Sequence, residues 1–180
     1  MKKIIGFVGP ICSGKDTAGD YASSKLQIPH CQISEPLIEE ARKREIPLTR
    51  KAITSFGTAL AKERGGDYLA RVLLGRIEQE GVISGMRQLE QISYLRSNSV
   101  LTLISVDCPE KLRFERAIAR KKIAEALTLA EFIRDEVEEN SGENIQRVFE
   151  CIRLAEHHIT NDSELNNLYE QVDKILRERQ

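Results

Sequence analysis

The sequence predicts an α/β fold, a five-stranded parallel sheet with helices packed on both faces. Three observations point there. Short apolar, strand-like runs alternate with helical stretches throughout the 180 residues, the pattern of βαβ units that feed a parallel sheet. The run Val100–Val106 is almost unbroken in its apolar character, as in a strand covered on both faces. The first run, Ile4 to Val8, leads directly into Gly9-Pro10-Ile11-Cys12-Ser13-Gly14-Lys15. That order is strand, glycine-bounded loop, lysine, helix start.

The remaining elements follow from periodicity and punctuation. A helix is expected over Asp16–Lys25, then a short strand over Ile28–Ser34. Glu35–Glu45 starts acid-first with Pro36 at an early position, as helix starts prefer. Thr49–Arg64 has a threonine cap and stops at Gly65-Gly66, and Asp67–Glu80 spaces Leu69, Val72, Leu73 and Ile77 along one helical face. Gly81–Gly85 reads as a buried strand, Gln88–Arg96 as a helix, Val100–Val106 as a strand and Pro109–Lys122 as a helix. The stretch Ala124–Thr128 has weak signals. Helices over Ala130–Glu139 and Glu143–Glu156 are split by Asn140-Ser141-Gly142, and His157–Thr160 is a last strand before a closing helix, Ser163–Arg179.

Composition sets limits. With 41% hydrophobic and 31% charged residues, the chain is long enough to bury about 70% of its unfolded surface as one domain, 1–180, without disulfides or metals. A net charge of −1 argues against nucleic-acid binding driven by bulk charge. No apolar stretch approaches a membrane span, and the chain enters its first strand at once, so neither a membrane nor a leader is expected. Cys12, Cys31, Cys108 and Cys151 show no CxxC spacing, which predicts free thiols and a cytoplasmic setting. Cys12, beside Lys15 at a helix start, is expected to be oxidisable. His157 and His158 read as strand-end residues.

In a parallel sheet of this kind, ligands sit at the carboxyl ends of the strands. The chemically informative residues fall there: Gly9–Lys15, Ser34-Glu35, Gly85–Arg87, Asp107 and Asn161-Asp162. Consecutive loop N–H groups, a helix N-terminus and a mobile lysine suit a polyphosphate. Arg87 directly follows the third strand, and Arg113, Arg116 and Arg120 share one helix face, with Arg134 beyond them. Arg50, Arg64 and Arg71 are expected to be surface ion-pairing residues. The loop resembles the Walker A motif of P-loop nucleotide-binding proteins, except that Asp16 follows the lysine where Ser or Thr is usual. The resemblance implies a three-layer P-loop NTPase fold and a site for ATP or GTP. Gly9, Pro10, Ile11, Cys12, Ser13, Gly14, Lys15, Asp16 and Thr17 would hold the phosphates, and Asp16 or Thr17 would hold a magnesium ion.

Nearly the whole chain resembles the small P-loop nucleotide kinases, among them adenylate-kinase-like and dephospho-coenzyme-A-kinase-like proteins. Ser34-Glu35-Pro36-Leu37 is similar to the opening of their acceptor region, and Gly66-Asp67-Tyr68-Leu69-Ala70-Arg71 to a helix start that recurs there. Val82-Ile83-Ser84-Gly85-Met86-Arg87 resembles their apolar strand followed by Asp-Gly-x-Arg, whose arginine grips the acceptor phosphate. Arg116-x-x-x-Arg120 is similar to hinge arginines beside the lid, and Phe132-Ile133-Arg134-Asp135 to the helix returning from it. Ile159-Thr160-Asn161-Asp162 resembles the loop that touches adenine. This implies a helical acceptor-binding insertion over 35–80 and a short lid over about 121–135. Lys15, Arg87, Arg116, Arg120 and Arg134 would be the catalytic cations.

Two departures from that family qualify it. Ser84 stands where the family's magnesium-organising aspartate would be, and Asp16 follows the lysine. One reconciliation moves the carboxylate to Asp16, assisted by Asp107 at the end of the fourth strand; the other reading of Asp107 is a helix cap. The implied function is magnesium- and ATP-dependent phosphoryl transfer to a nucleoside or deoxynucleoside monophosphate. The alternatives are transfer to dephospho-coenzyme A, or nucleotide binding without transfer. No Asn-Lys-x-Asp signature of a GTPase is present, and no apolar strand ends in Asp-Glu as in large ATPases.

Overall fold

The computed structural model describes residues 1–120, 128–141 and 146–179. Among these the elements are, in chain order, β1 (Lys2–Val8), α1 (Lys15–Leu26), β2 (His30–Gln32), α2 (Ser34–Lys43), α3 (Arg50–Arg64), α4 (Tyr68–Arg76), β3 (Glu80–Ser84), α5 (Leu89–Asn98), β4 (Ser99–Asp107), α6 (Glu110–Ala119), α7 (Leu129–Glu139), α8 (Val148–Arg153), β5 (His157–Thr160) and α9 (Leu165–Glu178). The strands pair in parallel in the order β2-β3-β1-β4-β5. The chain leaves β1 toward β3 and β2 on one side and later crosses to β4 and β5 on the other. The carboxyl end of β1 is therefore the switch point of the sheet, where a crevice forms.

Alternation along β1 feeds two cores. Ile4 and Val8 pack with Ile83, Met86 and Leu103 beneath the helices from α2 to α5 and α8. Ile5 and Phe7 face the opposite layer, with Val82, Ile104 and Ile159, against Ala18 and Ala22 of α1 and Leu168, Val172, Ile175 and Leu176 of α9. A third cluster of Cys12, Ala117 and Phe132 joins the loop after β1 to α6 and α7. The four cysteines are free, and burial pushes the Cys151 thiol up to about 12.

Several boundaries differ from expectation for local reasons. The strand expected over 28–34 is only His30–Gln32, because Ile33 already has helical φ and ψ and Gln32 N–H donates to the Glu35 carboxylate. Helix α4 ends at Arg76 rather than Glu80: Ile77 turns extended and buries its side chain, and Lys3 N–H bonds the Gln79 carbonyl to lead the chain into β3. Val100 begins the apolar run of β4 yet is 52% exposed. The helix expected from Glu143 to Glu156 is helical only over α8 among the described residues. Beyond it Glu156 bonds Leu103 through both its backbone N–H and its carboxylate. Helix α9 starts two residues late, at Leu165. Residues 121–127 of the expected lid, and the end of the helix expected over 109–122, lie outside the described residues; Thr128 caps α7 reciprocally with Glu131.

Arg113 is the clearest correction to the arginine face on α6. Its guanidinium makes a two-pronged pair with Glu136 of α7 at 2.7 and 2.9 Å, with side chains only 4% and 7% exposed. It also donates to the Cys108 carbonyl. This pair ties α6 to α7. Removing one partner strands a buried charge, so Glu136→Ala is expected to cost about 3–5 kcal/mol, whereas Arg113→Met combined with Glu136→Leu should recover most of that. Urea melts of the two variants check this.

Candidate active site

The loop between β1 and α1 fits its surroundings only with glycines at its ends. A Cβ on Gly9 would collide with the Val106 carbonyl, and one on Gly14, at φ +100°, with the Asn161 carboxamide. Cys12 sits at φ 59° inside the loop. Asn161 donates through Nδ2 to the Ser13 carbonyl at 2.7 Å, its own N–H bonds the Asp107 carbonyl, and Arg116 donates to its carbonyl. The loop is thus clamped to the ends of β4 and β5. Helix α1 starts at Lys15 with no side-chain cap, so its first N–H groups and positive end face the loop's concavity. Lys15 is buried, its Nζ 3.4 Å from the Pro10 carbonyl and 3.9 Å from Asp16. The Ser13 hydroxyl is a buried polar atom with no hydrogen-bond partner among the described residues. A cradle of amides too tight for Cβ atoms, with a buried cation, fits a polyphosphate.

The loop forms one wall of a cleft of about 350 Å³, small but within the range of small-molecule sites. Lys15, Asp16 and Thr17 line it at the loop; Ser84 and Arg87 come from the end of β3 and the turn after it; Arg50 and Arg120 come from α3 and the end of α6. Opposite the loop, Ile33, Leu37, Ile53 and Leu69 make an apolar wall beside Gln32, Gln88, Gln91 and Gln146. Among the described lining residues, Asp16 is the one carboxylate. Burial pulls the Arg87 guanidinium below its ordinary value, partly offset by the field of Glu139. Its hydrogen-bond partner is the neutral Gln146 carboxamide at 3.1 Å, and no carboxylate pairs with it among the described residues. A half-buried cation whose charge no carboxylate pairs among the described residues is suited to an anion.

Of the residues singled out from sequence, Ile11, Cys12, Gly14, Lys15, Asp16, Thr17, Arg87 and Arg120 line this cleft, and Gly9, Pro10 and Ser13 shape the loop behind it. Others lie apart from it. Asn161 and Arg116 hold the loop from behind, with Arg116 also donating to the Cys108 sulfur. Asp107 is exposed and its carboxylate accepts from the Cys108 N–H, so it neither lines the cleft nor caps α6 through the first-turn amides. Arg134 is 62% exposed beside Asp135 and Glu138. For a metal ion, Asp16 and Thr17 are the donors present at the loop.

Arg50 was expected on the surface, yet it lines the cleft and makes a two-pronged pair with Glu139 at 2.9 and 3.0 Å. A signal existed: a cation at the start of α3 and an anion at the end of α7 both oppose their helix dipoles, by about 0.3–1 kcal/mol each, and their pairing offsets this. The four glutamines gave no signal. Arg64 and Arg71 do lie outside the cleft, paired with Glu63, Glu40 and Asp67.

No family model matches the chain. A UPF0200/UPF0201 protein of Archaeoglobus fulgidus is 27% identical over 183 residues, which cover 97% of this chain and 55% of that protein, so the chain spans about half of its length. A UPF0200 protein of Methanocaldococcus jannaschii is 26% identical, covering 97% of this chain and 89% of its own. Among solved structures, shikimate kinase from Bacteroides thetaiotaomicron superposes with a TM-score of 0.65 at 13% identity, over 98% of this chain and 97% of that one. Shikimate kinase from Aquifex aeolicus gives 0.59 at 22% identity, over 98% and 95%. The chain has the P-loop kinase fold. Among its described residues no helix is long and apolar enough to cross a membrane.

In this P-loop fold the Asn161 clamp has a measurable consequence. Asn161→Ala leaves the buried Ser13 carbonyl without its donor, and one such loss costs about 1–3 kcal/mol. Calorimetric titration with ATP is expected to show an affinity about tenfold lower, on the same scale, while far-ultraviolet circular dichroism is unchanged.

Proposed function

We propose that the chain is an ATP-dependent phosphotransferase for a small phosphate-bearing acceptor, with a nucleoside or deoxynucleoside monophosphate as the best-fitting class. The observation that carries this is Arg87: a half-buried guanidinium with no carboxylate ion-pair partner among the described residues, opening into the same cleft as the phosphate loop. Lys15 and the loop amides would hold the donor phosphates. Arg87 would seat the acceptor phosphate, and Arg120 at the cleft mouth would add positive charge toward the transferring group. Phosphoryl transfer asks mainly for such positioning and charge. Asp16 and Thr17 would hold magnesium, which when bound neutralises charge on the donor phosphates. Thr54, Gln88 and Gln91 beside the apolar wall suit a base or sugar, since carboxamides pair well with base edges. The span 35–80 would be the acceptor-binding insertion. Arg116 supports the loop through Asn161, and Arg134 would reach the site only by movement of the lid side. The free cysteines favour a cytoplasmic setting.

One observation favours a second acceptor, the ribose hydroxyl of dephospho-coenzyme A. A hydroxyl must lose a proton, and Asp16 is a carboxylate within the cleft that can accept it. An ADP-release assay over nucleoside monophosphates and dephospho-coenzyme A separates the two. Lys15→Ala is expected to abolish turnover on every acceptor. Arg87→Ala is expected to raise the acceptor KM by about ten- to a hundredfold, the scale of one charge-assisted hydrogen bond, with little change in the KM for ATP. Equal loss toward both substrates would argue against an acceptor seat at Arg87.

A further inference from the structure

Behind the cleft, a chain of polar side chains runs from the phosphate loop to the surface. The Ser84 hydroxyl donates to Asp16 Oδ1 at 2.8 Å; His30 Nε2 lies 2.9 Å from the same hydroxyl; His30 Nδ1 lies 2.7 Å from Asp20 Oδ1. Ser84 is fully buried and the His30 side chain is 8% exposed. Ser84 has one proton, which goes to Asp16, so its oxygen accepts from Nε2–H. The Asp20 carboxylate can only accept, so Nδ1 carries hydrogen as well; in this arrangement both ring nitrogens donate and the ring is a cation set between two carboxylates. Helix α1 makes room for this ring. Gly19 lies in its interior, where glycine is less favourable than alanine, and a Cβ there would fall 2.8 Å from His30 Cε1 and Nε2. Asp16 and Asp20 are one turn apart on α1, a like-charge spacing that is unfavourable unless a group between them compensates.

We propose that His30 is a positioning residue for the Asp16 carboxylate. Asp20 fixes the ring, the ring's Nε2–H occupies the Ser84 oxygen, and the serine proton is thereby committed to Asp16. With Oδ1 held, the other carboxylate oxygen is presented to the loop end. Without His30 the serine hydroxyl is free to rotate, and the half-exposed Asp16 carboxylate loses one of the contacts that orient it. This inference rests on the reading of Asp16 as a metal donor in the phosphotransferase site. Partners that orient metal-binding side chains typically contribute about ten- to a hundredfold in metal affinity.

The test uses the full chain and four variants: His30→Ala, His30→Gln, Asp16→Asn and the double variant His30→Ala with Asp16→Asn. ATP binding is titrated with and without magnesium. His30→Ala is expected to lose at least tenfold of the magnesium-dependent gain in affinity, the lower end of that range, and to leave metal-free binding unchanged. His30→Gln, which can keep an N–H toward Ser84, should retain most of the gain. In the Asp16→Asn background His30→Ala should add nothing. A loss that persists in that background, or that falls equally on metal-free binding, overturns the proposal in favour of a purely structural histidine. Carbon-13 carboxyl spectra without nucleotide give an independent readout: the Asp16 resonance should move in His30→Ala, and an unmoved resonance overturns the proposal. A wild-type chain that binds no ATP sinks the phosphotransferase reading, while this resonance still decides whether His30 holds Asp16. If His30→Ala does not fold, Gly19→Ala displaces the ring while keeping every polar group, with the same expectations.

Discussion

The Asn161 carboxamide reaches from the end of β5 to the Ser13 carbonyl, and the geometry of the whole phosphate loop depends on that contact. It works because Gly14 has no Cβ to obstruct it, and because Gly9 lies against the Val106 carbonyl on the other flank. The loop is therefore pressed between two strand ends in addition to its own turn, in which the Ser13 N–H donates to the Pro10 carbonyl. A loop braced in this way changes little when a ligand arrives, which is the condition for electrostatic stabilisation to be effective. Arg116 extends the same clamp by bonding the Asn161 carbonyl. A residue that reads in sequence as part of a catalytic arginine stripe thus acts, in this structure, one contact behind the loop.

A similar division separates the remaining arginines. Arg113 and Arg50 both end on carboxylates of α7, Glu136 and Glu139. The first pair is buried and welds α6 to α7; the second spans from α7 to α3 at the edge of the cleft. Helix α7 is thereby referenced to both halves of the site. Arg87 is different: burial works against its charge, the fields of Glu139, Asp16 and Glu136 offset this in part, and among the described residues its side-chain hydrogen-bond partner is a neutral carboxamide. In a stable fold such an imbalance is tolerated where a ligand removes it.

Much of this was legible in the chain. The apolar alternation of Ile4–Val8, the glycines around the loop and the run through Val106 define the sheet and place Lys15 at its switch point. What escaped sequence reasoning is long-range pairing. Nothing local to Arg113 distinguishes it from Arg116 or Arg120, since all three share a helix face; only the approach of Glu136, 23 residues on, makes it structural. His30 escaped for the same reason. In sequence it is one residue of a short strand, and its meaning comes from Ser84 and Asp20, which lie 54 and 10 positions away. Boundaries failed where tertiary contacts override periodicity, as at Ile77, whose burial beneath the sheet ends a helix that the pattern would continue.

The contact between Ser84 and Asp16 has a physical logic in the reading that sets the metal-binding carboxylate on α1. A carboxylate at the end of β3 would be fixed by the sheet and need no partner. Moved to the first turn of α1, it gains the favourable field of the helix N-terminus but loses that rigidity, since a side chain on an exposed first turn has rotamer freedom. The serine left on the strand returns part of the constraint by donating to it, and does so only if its single proton is not spent elsewhere. That requirement is met by a buried histidine ring that donates from both nitrogens, one to the Ser84 oxygen and the other to the Asp20 carboxylate. Asp16 on α1, the glycine inside that helix and the histidine on β2 meet in one chain of contacts through Ser84. Replacing Ser84 by aspartate alone would set two carboxylates in contact rather than restore the more usual site.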